Sequence, residues 1–230
     1  MNWNTPPRIE EVGGVIVVRD DLLPGGTKRR ALTPLMAGWP EREFVFGGPA
    51  QGHAQLAMAW SSVDTGKTAT YFVAERHRLH PLTAEAQRVG AHIVQVPHGR
   101  LNVVQRRARD YCTQTGARFL PLGFDLPEFL DHTADAALSI GFQPREVWCA
   151  AGAGLLTRAL QAAWPHAHHH AVQVGFPPSV GDAMLHRAVE SFDQPAEQPP
   201  PFPSAAHYDA KVWRFVRQRP GALFWNVARD

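Results

Sequence analysis

The alternation of apolar and polar positions changes period repeatedly along the chain. Short β-rich apolar runs at Val15–Val18, Phe44–Phe46, Ala69–Ala74, His92–Val96, Arg118–Leu122, Glu146–Ala150, Ala171–Val174 and Ala222–Val227 predict strands. Between them, helical patterns predict helices over Arg29–Ala37, His53–Ser62, Thr83–Val89, Leu101–Thr115, Glu128–Ile140, Leu155–Trp164 and Tyr208–Arg217. In the fourth of these, Val103, Val104, Ala108, Tyr111 and Cys112 fall on one apolar face. Strands alternating with helices imply βαβ units, so the expected class is α/β, a mostly parallel sheet with helices on both faces. Ligands in such sheets sit beyond the carboxyl ends of the strands, which gives functional weight to residues that directly follow a strand.

One segment breaks the rhythm. Residues 194–204 are proline-rich, with Pro199, Pro200 and Pro201 consecutive, and read as an extended crossing rather than a helix or an interior strand. No internal repeat is evident, and residues 1–230 are expected to form one compact unit, two small lobes being the alternative. At 44% hydrophobic and 19% charged residues the chain is globular, and no apolar run is long enough to span a bilayer. The first residues lack a basic segment followed by an apolar one, and only Cys112 and Cys149 are present, so no disulfide framework is expected and a reducing cytoplasm is the default. A net charge of +2 does not demand a nucleic-acid partner, although Lys28-Arg29-Arg30 and Arg106-Arg107-Ala108-Arg109 could meet phosphate locally.

Candidate chemistry begins with the scarcity of lysine. Of 23 basic side chains only Lys28, Lys67 and Lys211 are lysines, and Lys28 follows the Gly25-Gly26 turn at a predicted helix start. Unlike arginine, a lysine amine can be desolvated, lose its proton and act as a Schiff-base nucleophile; the competing reading is a solvated surface lysine. Three glycine turns lie between a strand and a helix: Gly25–Lys28, Gly47–His53 and Gly152–Thr157. Glycine admits close approach of a ligand to the backbone, and free amides at a helix start favour phosphate, so the third turn is the best phosphate cradle; small residues there also serve plain packing. No lysine completes a P-loop at that turn. Tyr208-Asp209-Ala210-Lys211 opens the last helix, where Asp209 also fits a carboxylate favoured by the helix dipole. His166, His168, His169 and His170 raise a zinc reading, with His168 and His170 on one strand face, but no third ligand at suitable spacing accompanies them, and a polar approach to the strand at Ala171 is the preferred account, with no metal expected.

Taken in order, Arg19-Asp20-Asp21, Gly25-Gly26-Thr27-Lys28-Arg29-Arg30, Gly47-Gly48-Pro49-Ala50-Gln51-Gly52-His53, Gly152-Ala153-Gly154 and Tyr208-Asp209 resemble the fold-type II pyridoxal-phosphate enzymes, and most nearly their 1-aminocyclopropane-1-carboxylate deaminase and D-cysteine desulfhydrase branch. The resemblance implies a shortened tryptophan synthase β-like fold with Lys28 as the cofactor lysine. It also implies that Gly152, Ala153, Gly154 and Thr157 hold the cofactor phosphate and that Asp209 faces the pyridine nitrogen, keeping it protonated. Gln51 and Gly52 stand where the family carries Ser-Asn, and the resemblance implies that they lie at the cofactor, with His53 alone matching; Leu155 and Leu156 replace the usual glycine and threonine.

The expected activity is that of a pyridoxal-phosphate-dependent lyase on an amino-acid-like substrate, by decarboxylation or elimination, with Lys28, Tyr208 and His53 as proton carriers. Short members of this kind resemble bacteriophage enzymes of DNA hypermodification, which adds a base-linked amino acid in DNA as a substrate expectation. A homodimer is an assembly the resemblance allows; a membrane partner is not expected. The competing readings are a non-catalytic binder of a phosphorylated ligand on the same fold, and a phosphoribosyl or nucleotide transferase.

Overall fold

A computed structural model describes residues 2–230. In chain order the strands are β1 (Ile9–Val12), β2 (Val15–Arg19), β3 (Glu43–Gly47), β4 (Thr68–Ala74), β5 (His92–Val96), β6 (Arg118–Leu120), β7 (Glu146–Ala151), β8 (His168–Gln173), β9 (Met184–Arg187) and β10 (Leu223–Asn226). The helices are α1 (Gly26–Gly38), α2 (Ala54–Thr65), α3 (Pro81–Val89), α4 (Leu101–Thr115), α5 (Pro127–Leu138), α6 (Leu155–Ala163) and α7 (Trp213–Val216). The predicted last helix is a 3-10 turn over Asp209–Val212 followed by the single turn of α7. Strands β1 and β9, too short and too polar to stand out in the apolar pattern, complete the set. Among the described residues no helix is long and apolar enough to cross a membrane.

The chain divides into two compact units, residues 2–30 with 130–230, and residues 31–129. The division falls inside α1, directly after Arg30, whose carbonyl is the one that Pro34 inside the helix cannot bond because proline has no N–H.

The first unit is built on a six-stranded sheet in the order β1-β2-β10-β7-β8-β9, parallel except for the β1–β2 hairpin. Its strands are apolar at successive positions because both faces are covered. Val18, Val147, Cys149, Leu223 and Trp225 pack with Ala134 and Ala137 of α5 and Ala159, Leu160 and Ala163 of α6. The alternate positions, Val17, Trp148, Ala150, Val172 and Phe224, pack with Val212, Trp213 and Val216. Proline-rich residues 194–204 run beside β10 and are fixed to it: Ser204 Oγ donates to Asn226 Oδ1 at 2.7 Å, and Asn226 Nδ2 donates to the Pro203 carbonyl at 2.9 Å. The second unit is a parallel four-stranded sheet, β5-β4-β3-β6, with Val45, Phe72 and Val96 packed on Val104 and Ala108 of α4.

Two buried ion pairs follow β2 and set the start of α1. Asp20 accepts from Thr27 Oγ1 and from Arg30 Nε, each at 2.7 Å, and Arg30 continues to the carbonyls of Trp3 and Thr5. Asp21 takes both ends of the Arg19 guanidinium at 2.8 Å, and Arg19 also reaches Glu10. Removing one partner of a buried pair leaves an uncompensated charge. We therefore expect Asp20→Ala to lower unfolding free energy by about 3–5 kcal/mol in urea titrations, and Asp21→Ala to lower it less, since Glu10 stays on Arg19.

Candidate functional site

The end of β10 gathers the sequence elements that carry candidate chemistry in the first unit. The Thr27 N–H donates to the Val227 carbonyl at 3.2 Å, and Trp225 Nε1 donates to Thr27 Oγ1 at 2.8 Å. Gly26, at φ +65°, lies so close to that carbonyl that a Cβ there would sit 2.4 Å from the oxygen. Only glycine fits this approach, and it sets the first turn of α1 against β10 with Lys28 in it. From the other side, the Ala228 N–H donates to Asp209 Oδ2 at 3.2 Å. The same two-residue stretch after β10 thus fixes the Lys28 turn and the Asp209 carboxylate.

Lys28 is half-buried, and burial lowers its amine pKa while the Asp209 charge opposes the shift. Asp209 is fully buried, and burial pushes its carboxyl up to about 8 against the opposing pull of Lys28. Burial drives both groups toward their neutral forms. Asp209 Oδ1 has no hydrogen-bond partner. The three lysines differ sharply in their surroundings. Lys67 Nζ donates to the carbonyls of Met36 and Trp39, and Lys211, buried, donates to the Ser191 carbonyl at 2.8 Å, whereas Lys28 Nζ has no hydrogen-bond acceptor among the described residues.

The Gly152–Gly154 turn joins β7 to α6. Gly154, at φ +91°, caps the helix without a side-chain hydrogen bond, and its missing Cβ would lie 1.9 Å from the Ser179 carbonyl oxygen. Backbone of residue 179 therefore crosses the turn, returning the Ser179 N–H to the Ala153 carbonyl at 3.2 Å. Tyr208 is half-buried; its phenol oxygen accepts the Gly152 N–H at 2.7 Å and its hydroxyl points to the Ala150 carbonyl at 3.4 Å. Thr157 does not offer its hydroxyl at this turn. It is buried, with Oγ1 3.2 Å from Cys149 Sγ, and the Cys149 thiol is pushed up to about 12 by burial.

Lys28, Tyr208, Asp209, Gly152, Ala153, Gly154 and Thr157 belong to the first unit; Gln51, Gly52 and His53 belong to the second. Gln51 is exposed and His53 precedes α2. Their turn is held by two residues to which no role was assigned from sequence: Gln55 Nε2 donates to the carbonyls of Ala50 and Gly52 at 2.7 and 3.0 Å, and the Tyr71 hydroxyl donates to the Pro49 carbonyl at 3.0 Å. Asn226 is a further omission, since its role on residues 203 and 204 is set by tertiary contact alone. His168, His169 and His170 extend the predicted strand backwards and belong to β8, while His166 precedes it in a turn. His169 Nε2 meets the Trp164 carbonyl at 2.9 Å, while His170 stacks on Trp148 with ring centroids 4.1 Å apart and shares a 3.0 Å nitrogen–nitrogen hydrogen bond with His186 of β9.

No protein-family model and no curated protein matches the chain in sequence. Among solved structures it is similar to a homologue of ACC deaminase, with 14% identity and a TM-score of 0.80 over 99% of this chain and 90% of that one. It is also similar to O-acetylserine sulfhydrylase isoform 3 from Entamoeba histolytica, with 8% identity and a TM-score of 0.72 over 98% and 86% of the two chains. The diaminopropionate ammonia lyase of Escherichia coli in apo form gives 13% identity and a TM-score of 0.64 over 98% and 82%. The chain has the tryptophan synthase β-like fold.

The Asp209 shift carries a pH dependence of known sign. Its folded-state value lies above the ordinary carboxylate value of 3.8, so its favourable contribution is complete below that value and is lost as pH rises toward about 8. Asp209→Asn keeps the side-chain shape and an amide oxygen able to accept the Ala228 N–H, without the titration. In thermal melts across pH 5 to 8.5 we expect the Asn variant to gain stability relative to the parent as pH rises, by at most about 1.4 kcal/mol per pH unit; a gap that closes or reverses would place a charged Asp209 in the folded state.

Proposed function

We propose that this protein is a pyridoxal-phosphate-dependent lyase acting on an amino-acid-like substrate. The observation that carries this reading is the buried Asp209 Oδ1 without a partner, in electrostatic reach of Lys28, the lysine whose amine has no protein acceptor among the described residues. A buried polar atom without a partner in a native fold calls for an explanation, and a ring N–H supplied by a ligand is one. The Gly152–Gly154 turn carries no side chain of its own larger than the Ala153 methyl and opens α6, where free amides suit a phosphate. On both counts the residues present fit the cofactor.

Lys28 would hold the cofactor aldehyde carbon, Asp209 the ring nitrogen, and the backbone amides from Gly152 through Leu156 the phosphate. Bound there, pyridoxal phosphate supplies an electron sink for charge built at the substrate α-carbon. Desolvation of Lys28 raises the share of its amine that is unprotonated, and that form can both bond to carbon and take a proton at Nζ. The depth of Asp209 keeps water from its carboxyl, so a proton shared with a ring nitrogen would stay there. Thr27 and Asp20 hold the Lys28 turn from beneath and do not touch the reacting groups. Elimination with loss of a group from the substrate is favoured over decarboxylation by the ammonia lyase and threonine deaminase activities named for proteins of similar fold.

The test is the visible absorbance of purified protein with pyridoxal phosphate, beside Lys28→Ala, followed by borohydride reduction and peptide mapping. We expect a band above 400 nm in the parent, its loss in the variant, and the reduced label on Lys28. A label divided among Lys67, Lys211 and the amino terminus, or no band, would favour a non-catalytic phosphate binder.

A further inference from the structure

The phenol of Tyr208 already partners a backbone N–H of the Gly152–Gly154 turn. Its oxygen accepts the Gly152 N–H at 2.7 Å, while its own proton has only the Ala150 carbonyl at 3.4 Å, a contact at the limit of hydrogen bonding. The phenol is therefore held chiefly as an acceptor, which is the role a phosphate oxygen would take at the same amide. A Cβ on residue 152 would come within 3.2 Å of the Tyr208 oxygen, so the absence of a side chain at Gly152 is what admits the phenol. The turn itself is braced, because the backbone of Ser179 lies on Gly154 and bonds Ala153. Ala153 is exposed, which opens the turn to solvent. An anion arriving there meets a fixed turn and a partner that can leave.

We propose that Tyr208 occupies the Gly152 amide as a stand-in for a phosphate oxygen and is displaced from it when a phosphorylated ligand binds. This rests on the reading of that turn as the phosphate site given above. Displacement has two effects. Phosphate binds more weakly than the turn alone would allow, since the Tyr208 hydrogen bond must first be broken. The released hydroxyl, next in sequence to Asp209, then becomes available to carry a proton only when the ligand is in place. Burial holds the phenol proton well above its usual range, so Tyr208 enters this exchange as a neutral hydroxyl and not as a competing anion.

The experiment is titration with inorganic phosphate and, separately, with pyridoxal phosphate, of the full chain and of Tyr208→Phe. It is read by calorimetry and, in the parent, by the amide resonance of Gly152 and the ring resonances of Tyr208. We expect Tyr208→Phe to bind inorganic phosphate roughly three- to tenfold more tightly, the factor that one neutral hydrogen bond provides. In the parent, the Gly152 and Tyr208 signals should shift together with saturation. Equal or weaker binding by the variant, with Tyr208 signals unmoved in the parent, would overturn the displacement and leave the turn as a phosphate site braced by Tyr208. Absence of binding to either protein at millimolar ligand would overturn the phosphate reading of the turn and the displacement together. The resonance measurement needs no variant and decides the question alone if Tyr208→Phe does not fold.

Discussion

The Lys28 turn and the Asp209 carboxylate both hang on the backbone just beyond β10. Val227 offers its carbonyl to Thr27, Ala228 offers its N–H to Asp209, and the Ala228 carbonyl receives the N–H of Ala205 at 2.9 Å. The Lys28 turn, near the start of the chain, and the stretch from Ala205 to Asp209, about 180 positions later, are thereby held by two consecutive residues. Backbone hydrogen bonds of this kind are individually modest, but they are buried and directional, and they act on a strand that sits in the middle of the sheet. Side chains add to the same junction: the Trp225 indole bonds Thr27, and the Asn226 amide holds residues 203 and 204.

The charge design of the unit separates structure from chemistry. Arginine carries the buried pairs with Asp20 and Asp21, where a permanently charged fork suits a carboxylate. Lysine, which loses its proton more readily when desolvated, is the residue at the start of α1. Asp20 and Asp209 are both fully buried carboxylates, yet Asp20 has its charge matched by Arg30 and Thr27, while Asp209 has one oxygen without a partner. Equal burial with unequal satisfaction is what distinguishes a carboxylate that holds the fold from one available to a ligand.

Much of this was legible in the sequence because both faces of the sheets are buried. Strands such as Glu146–Ala151 read as apolar runs with little competition from helix patterns, and the order of strands and helices followed from them. Lys28 and Asp209 were legible through residue type and the turns around them. What escaped has physical causes. Strand β9, Met184–Arg187, is a short edge strand with exposed Met184 and Leu185, and no periodicity marks it. The engagement of Thr157 with Cys149 instead of the turn depends on which way a helix faces its strand, and a pattern of residue types does not fix that. The crossing of Gly154 by Ser179 joins positions 25 apart, with α6 and β8 between them and Ser179 in an irregular stretch that no pattern marks.

The position of β10 in its sheet bears on the order of events in folding. Its neighbour β2 pairs Ile16 with Leu223, 207 positions later in the chain, and its other neighbour β7 pairs Val147 with Leu223. Closing so long a loop costs entropy that must be met before the contact repays it, which makes pairing of this kind slow. The Lys28 turn and Asp209 are both bonded to the residues after β10, so the two halves of the site come together in the same late step that seats the central strand. A partly folded chain would then possess its helices and its turns but not the juxtaposition of amine and carboxylate, and reactivity at Lys28 becomes a report on completion of the sheet.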